Sequence, residues 1–184
     1  MRAKLGSFWQ QISLLLNDFT QSEAIAPVSG EFVKGINFGG FAVTIQGHRW
    51  DAYSQALATG LSLPEAQTLQ TQVLPQPYAS RETRNMLNSL VYRPERLELT
   101  QSLPNGQYEL YLWLIENYQS DWHDFALTIN GALVAQNLGK LRVGNWARYG
   151  GYAATVTDGT LRMTLSTDRP GVDAHWMGLS IFRV

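Results

Sequence analysis

The chain has no cysteine, which removes disulfides, thiolate catalysis and Cys-based zinc sites from consideration. It also lacks an excess of either charge: 14 Lys and Arg against 15 Asp and Glu leave a formal charge of -1. A nucleic-acid backbone or an anionic lipid surface calls for a basic patch, so no nucleic-acid partner is expected. No hydrophobic run is long enough to cross a bilayer, so no transmembrane segment is expected either. The signatures of several enzyme classes are missing. No Gly-x-Ser-x-Gly elbow occurs. His48, His123 and His175 are scattered, with none in a His-Glu-x-x-His pattern. Gly39-Gly40 and Gly150-Gly151 do not open helices, so neither is a phosphate loop. Asp51 and Glu116 are two acids among many that a glycosidase pair would need. The expectation is a protein that is not an enzyme and needs no cofactor. A Ca²⁺ held by loop oxygens would have a structural role.

What is present is apolar and aromatic. Hydrophobic residues make up 45% of 184 residues, a composition that folds and a length that buries one sizeable core. Six Trp and eight Tyr exceed what such a core uses, so some are expected to meet a ligand or partner. Pro104–Tyr118, PNGQYELYLWLIENY, is the organising stretch. Asn105-Gly106 is a tight-turn dipeptide, because both residues tolerate positive φ. Tyr108, Leu110, Leu112 and Leu114 then alternate with Tyr111, Trp113 and Ile115. Both faces are apolar, which describes a strand covered on both sides. Phe125, Leu127 and Ile129 alternate with polar or small residues, Asn130-Gly131 marks a type I′ turn, and Ala132–Ala135 returns.

The rest of the chain repeats this grammar. Phe32–Asn37, Phe41–Ile45, Arg96–Thr100, Trp146–Val156, Leu161–Ser166 and Trp176–Val184 read as strands, with Gly pairs and Asp158-Gly159 between them. Residues 48–84 read as a long irregular region with helical turns at Ala52–Ala58 and Pro64–Leu69. Eight or more short strands separated by turn signals indicate an all-β fold, an antiparallel jelly-roll β-sandwich. Met1–Thr20 is the one convincing helix, with Phe8, Ile12, Leu15, Leu16 and Phe19 on a single stripe after Ser7 as N-cap. Gln10, Gln11 and Ser13 interrupt that stretch too often for a signal peptide. The expected organisation is a helix and linker over 1–26 and a sandwich over 27–184. A protein partner or self-association through the Met1–Thr20 helix is the expected use of its apolar stripe.

Several motifs, taken in order, resemble a known family. Ile36-Asn37-Phe38-Gly39-Gly40 looks like the opening motif of malectin and malectin-like carbohydrate-binding domains. Glu82-Thr83-Arg84, Gly106-Gln107-Tyr108, Leu112–Tyr118, the Phe125–Val134 hairpin and Asp158-Gly159 follow in the family's order. The resemblance implies a galactose-binding-like sandwich that recognises a sugar. Glu116-Asn117-Tyr118 is similar to the family's Glu-x-Tyr, which makes Tyr118 the first candidate for a sugar contact. Asp173 corresponds to its late acidic ligand residue. Asn85 and Gln119 stand where the family carries aromatic residues.

Independently of the resemblance, a pyranose needs a flat aromatic for its apolar face and a few carboxylate or amide partners in a concave loop cluster. Asp121, Trp122, Trp146, Tyr149 and Trp176 supply such groups, with His123 and His175 nearby in sequence. Trp146 and Trp176 have a second reading as core residues with one satisfied N–H. The two function classes carried forward are a non-catalytic carbohydrate-binding module and a structural or protein-interaction module.

Overall fold

The computed structural model describes residue 28 and residues 30–184, so the helix expected over Met1–Thr20 lies outside the described residues. Among the described residues strands account for 55% and two short helices for 8%, an all-β sandwich as the patterning anticipates. The first sheet has six strands. Its longest pairings run through β8 (Gly106–Ile115), which lies between the edge strand β11 (Trp146–Val156) and β14 (Gly178–Arg183), and the sheet continues through β1 (Glu31–Asn37), β3 (His48–Ala52) and β2 (Val43–Ile45). The second sheet has five strands in the order β10 (Ala132–Leu138), β9 (Phe125–Ile129), β12 (Thr160–Ser166), β7 (Arg96–Ser102) and β4 (Leu61–Ser62). A third, three-stranded sheet joins β13 (Asp173–Trp176), β6 (Ser89–Pro94) and β5 (Gln67–Gln70).

Alternation along β8 sorts its side chains. Leu110, Leu112 and Leu114 are fully buried, and register pairing sets Leu179 and Ile181 beside them. Leu97, Leu99, Leu127, Leu161, Met163 and Leu165 supply the facing layer of the core. Each such side chain stabilises the fold by roughly 1.5–3 kcal/mol when fully buried. The other face of β8 carries Tyr111 and Trp113. Here Trp50 of β3 lies over the sheet and meets Trp113 edge-on at 5.8 Å. It fits because the strand beneath it has no side chain at that point: a Cβ at Gly35 would come within 2.4 Å of the Trp50 ring.

Two hairpins follow their turn residues, whereas Asn105 and Gly106 keep negative φ and Gly106 already belongs to β8. Gln46 and Gly47 join β2 to β3, and Asn130 and Gly131 join β9 to β10, all four with positive φ. Three departures from the sequence reading stand out. First, β3 pairs with β2 and, in parallel, with β1, so the region expected to be irregular begins with a paired strand, while residues 71–80 remain without regular structure apart from one bridge at Gln76. Second, Pro64–Leu69 is not helical, because residues from Gln67 join β5, whose four side chains are all exposed. Its pairing with β6 holds it, and an exposed strand leaves no hydrophobic alternation to read. Third, the closing stretch Trp176–Val184 belongs to two strands in two sheets, divided at Met177. The helices are α1 (Tyr53–Ala58), which matches the helical turn expected at Ala52–Ala58, and α2 (Arg81–Leu87), whose N-cap Ser80 accepts the Thr83 N–H at 3.2 Å.

Candidate functional site

Glu116 comes immediately after β8 and organises the loop at its end. It is fully buried, and its carboxylate accepts the backbone N–H of Tyr118 at 3.0 Å and of His123 at 3.1 Å. The His123 Nδ1 lies 2.9 Å from the same group. Burial by itself raises the pKa of Glu116. The His123 hydrogen bond, the His123 charge and the two N–H groups outweigh it and leave the carboxyl below its ordinary value. One acid therefore pulls residues 116–123 into a tight loop and sets the direction of Tyr118 and Trp122. Arg169, from the loop before β13, ties the other side. Its Nη1 donates to the Asp121 carbonyl at 3.1 Å and to the Trp122 carbonyl, and its guanidinium lies 5.0 Å from the Trp122 ring centre.

Between these two loops is a hollow of about 410 Å³. Tyr118, Trp122 and Asp173 line it together with Asn117, Tyr92 and Thr71. Tyr118 is 67% exposed and meets Trp122 edge-on at 5.2 Å. His123 and His175 form part of the floor, with ring centres 4.2 Å apart and Phe125 behind them. Burial drives His175 far toward its neutral form, the neighbouring His123 adds to this, and a hydrogen bond to the Ile115 carbonyl opposes it. The hollow thus joins an exposed aromatic edge, a carboxylate, an amide and a neutral imidazole. That is the mixture that receives a small polar molecule with one apolar face.

Three of the seven residues nominated from the sequence, Tyr118, Trp122 and Asp173, are brought together here. Asp121 is exposed just outside the lining, its φ of 57° turning the loop while its N–H donates to the Leu141 carbonyl at 2.7 Å. The other three lie outside this hollow, and of them Trp176 is corrected outright by its burial. Trp176 is completely buried and packs on Phe38 at 5.8 Å. Alternation explains it: Asp173 and His175 point from β13 into the hollow, so Ala174 and Trp176 point into the core. Trp146 stacks on Trp113 at 5.7 Å and donates its Nε1–H to the Pro77 carbonyl at 2.7 Å, on the outer face of the six-stranded sheet. Tyr149 is half-buried, its hydroxyl accepting the Gly139 N–H at 3.1 Å. Tyr92 and Asn117 line the hollow but carried no signal: Tyr92 lies on a strand the patterning did not resolve, and Asn117 is a neighbour of the motif residues.

Other hollows among the described residues differ in chemistry. One, of about 420 Å³, offers four amide side chains together with Arg81 and Glu82 beside the exposed Phe41. One of about 260 Å³ lies between the β9 and β12 ends and offers Asp124, Asp168 and Arg169 without an exposed aromatic. Chemistry rather than volume distinguishes the Tyr118 hollow, where two aromatic rings meet over polar groups. Among the described residues no three His, Asp or Glu side chains converge as a metal-binding group. No described helix is long and apolar enough to cross a membrane.

No family model matches the chain, and no curated protein matches it by sequence. Its fold is similar to solved structures. One is the ANX2 ectodomain from Arabidopsis thaliana, a plant receptor-like kinase, with a TM-score of 0.64 and 18% identity, covering 83% of this chain and 49% of that one. Another is the plant receptor-like kinase FER, with a TM-score of 0.63 and 15% identity, covering 82% and 42%. A third is Bacteroides uniformis β-glucuronidase, with a TM-score of 0.65 and 14% identity, covering 82% and 18%. The chain spans half or less of the length of each. These likenesses are consistent with the malectin-like fold expected from the motifs, and at such identities they speak to the fold alone.

Proposed function

We propose that the hollow between residues 116–123 and 167–173 binds a carbohydrate and does not act on it chemically. The observation that carries this reading is the meeting of Tyr118 and Trp122 with Asp173 over a polar floor. Tyr118 offers a ring face for the apolar side of a pyranose. Asp173 and Asn117 offer acceptors and donors for its hydroxyls. The malectin-like resemblance independently selects Tyr118 and Asp173, and the two come from segments 55 positions apart. A non-catalytic role is supported by the carboxylates. Glycoside hydrolysis uses two flanking acids, whereas Asp173 is the single acid among the described residues lining this hollow. Glu116 is buried under the loop, and Asp51 is paired with Lys34 at 3.3 Å. The reading requires no cofactor.

A second reading, a protein-interaction module, is favoured by Leu69, which is 48% exposed at the rim and extends the hollow with an apolar edge. One experiment separates the two. A glycan array is followed by calorimetric titration of its hits against the native chain and Tyr118→Ala. Saturable binding that the substitution abolishes supports the carbohydrate reading. No hit on the array, or unchanged affinity in a folded Tyr118→Ala chain, transfers support to the protein partner.

A further inference from the structure

One wall of the Tyr118 hollow is a face of the three-stranded sheet and its end. Leu69 and Thr71, Leu90 and Tyr92, and Asp173 and His175 are alternate residues of three adjoining segments, and all six line the hollow. Register sets them side by side, because Tyr92 pairs with Gln67 on one flank and with His175 on the other. The intervening residues belong to the opposite face. Gln70 and Ser89 line the separate hollow that carries the four amides, and Arg93 is paired with Glu65.

The polar side chains of this wall share one property: their donors are already engaged inside the protein. The Thr71 hydroxyl donates to Asn88 Oδ1 at 2.9 Å, and the Tyr92 hydroxyl donates to Gln67 Oε1 at 2.9 Å. His175, buried and neutral, donates its single ring N–H to the Ile115 carbonyl, which leaves an unprotonated ring nitrogen. Asp173 is half-buried, and its carboxylate has no hydrogen-bond or ion-pair partner among the described residues. What remains on the wall is two hydroxyl oxygens, a ring nitrogen and a carboxylate, all of them acceptors. The free donors lie on the loop side, at the Asn117 amide and the Tyr118 hydroxyl. No Lys or Arg lines the hollow. Arg169, on the neighbouring loop, is bound to the Asp121 and Trp122 carbonyls, and any charge on His123 is matched by Glu116, 2.9 Å from its Nδ1. A group set against this wall must bring hydrogen-bond donors, and a positive charge there meets an unpaired carboxylate. A ligand carboxylate brings neither and is repelled by Asp173. On the carbohydrate reading above, on which this rests, we infer that the acceptor wall of Thr71, Tyr92, Asp173 and His175 selects an amino sugar, a pyranose with a protonated amine, over a neutral sugar and rejects a uronic acid.

Glucosamine, glucose and glucuronate share one ring and differ at a single substituent, which makes them the probes. Each is titrated against the chain of 184 residues just below neutral pH, where the amine is protonated and Asp173 ionised, and nuclear magnetic resonance shifts are followed at residues 117–123 and 171–175. Glucosamine should bind about tenfold more tightly than glucose, the difference between a charge-assisted and a neutral hydrogen bond. Glucuronate should bind about tenfold more weakly than glucose or not at all. In Asp173→Asn, glucosamine should fall to the affinity of glucose. A second measurement needs no substitution: added salt should narrow the gap between glucosamine and glucose on the native chain, because it screens the charge pair. Equal affinities for glucosamine and glucose, or a preference for glucuronate, overturn the inference and leave the carbohydrate reading standing. A glucosamine advantage that survives in a folded Asp173→Asn chain, or that salt does not reduce, overturns it as well. Binding of none of the three also overturns it, and the glycan array then decides the carbohydrate reading separately.

Discussion

Two aromatic groups in this molecule have opposite fates. In the outer-face group, Trp50, Trp113 and Trp146 are packed ring on ring and closed over by α2. In the hollow, Tyr118 and Trp122 touch each other once, edge to face, and keep the rest of their rings toward an open space floored by His123 and His175. Trp113 is 1% exposed and Tyr118 is 67% exposed, although they are close neighbours along the chain. The difference is the end of β8. While the ladder continues, every ring is pressed against a neighbouring strand. Once Glu116 terminates it and turns the backbone, the next aromatic has no strand beside it. Aromatic content therefore does not locate a ligand site; the point at which pairing stops does.

The largest expected effect lies in the packed group. Trp113→Ala should cost about 3–5 kcal/mol of stability, because the ring is enclosed by Trp50, Trp146 and Arg148 and its removal leaves a cavity. Chemical denaturation measures this. A loss below about 1 kcal/mol would mean that the outer face collapses freely and that the two groups are not so different. Glu116→Gln comes next. An amide cannot accept from three donors without turning its own N–H toward one of them, so buried N–H groups lose partners at about 1–3 kcal/mol. Binding in the hollow should fall with it, since the loop that carries Tyr118 loosens. A Glu116→Gln chain that melts like the native one and binds as well would remove Glu116 from the account.

Tyr118→Ala should weaken binding by about 1–3 kcal/mol, a range typical of a lost aromatic contact, and barely alter the melting temperature. Calorimetry and thermal denaturation on one sample read both quantities. A large drop in melting temperature would make Tyr118 a core residue and erase the contrast with Trp113. The smallest expected effect is on pH. His175 has its pKa driven below the ordinary 6.5 by burial, so between the two values the unfolded chain binds a proton that the folded chain refuses. Its contribution to stability is complete above about 6.5 and declines as pH falls below it. Glu116, with its pKa lowered, contributes in the same direction but at lower pH: stability present above the ordinary carboxylate range is lost on acidification through the folded value. Melting curves between neutral and mildly acidic pH should therefore move downward first through His175. A melting temperature that rises on acidification would contradict the burial of that imidazole.

Much of the sandwich is legible in the sequence because its strands bury one face and expose the other. β9 shows this at Phe125, Leu127 and Ile129, and β12 at Leu161, Met163 and Leu165, and in both the buried residues are the ones that alternation selects. Asn130-Gly131 and Gln46-Gly47 take the positive φ values that mark their turns. Where burial has no alternation, the reading fails. β5 is exposed at all four positions and owes its existence to β6, a partner whose own residues do not alternate. β3 begins with exposed His48 and Arg49 and is hidden for the same reason.

For the site, local sequence determined that Asp121 to Asp124 break the apolar run that ends at Tyr118, which puts Tyr118 and Trp122 at a strand end or in a connection. Only the tertiary structure decided which aromatics share a hollow. Asp173 and Trp176 are both in β13, and a single register choice of that strand against β6 sends the first into the hollow and the second into the core. That choice is made by a strand far earlier in the chain, at Val91 and Pro94, and no local pattern around Trp176 encodes it. Side-chain alternation is a local property, but the face that becomes buried is set by the partner strand, so the site had to wait for the fold.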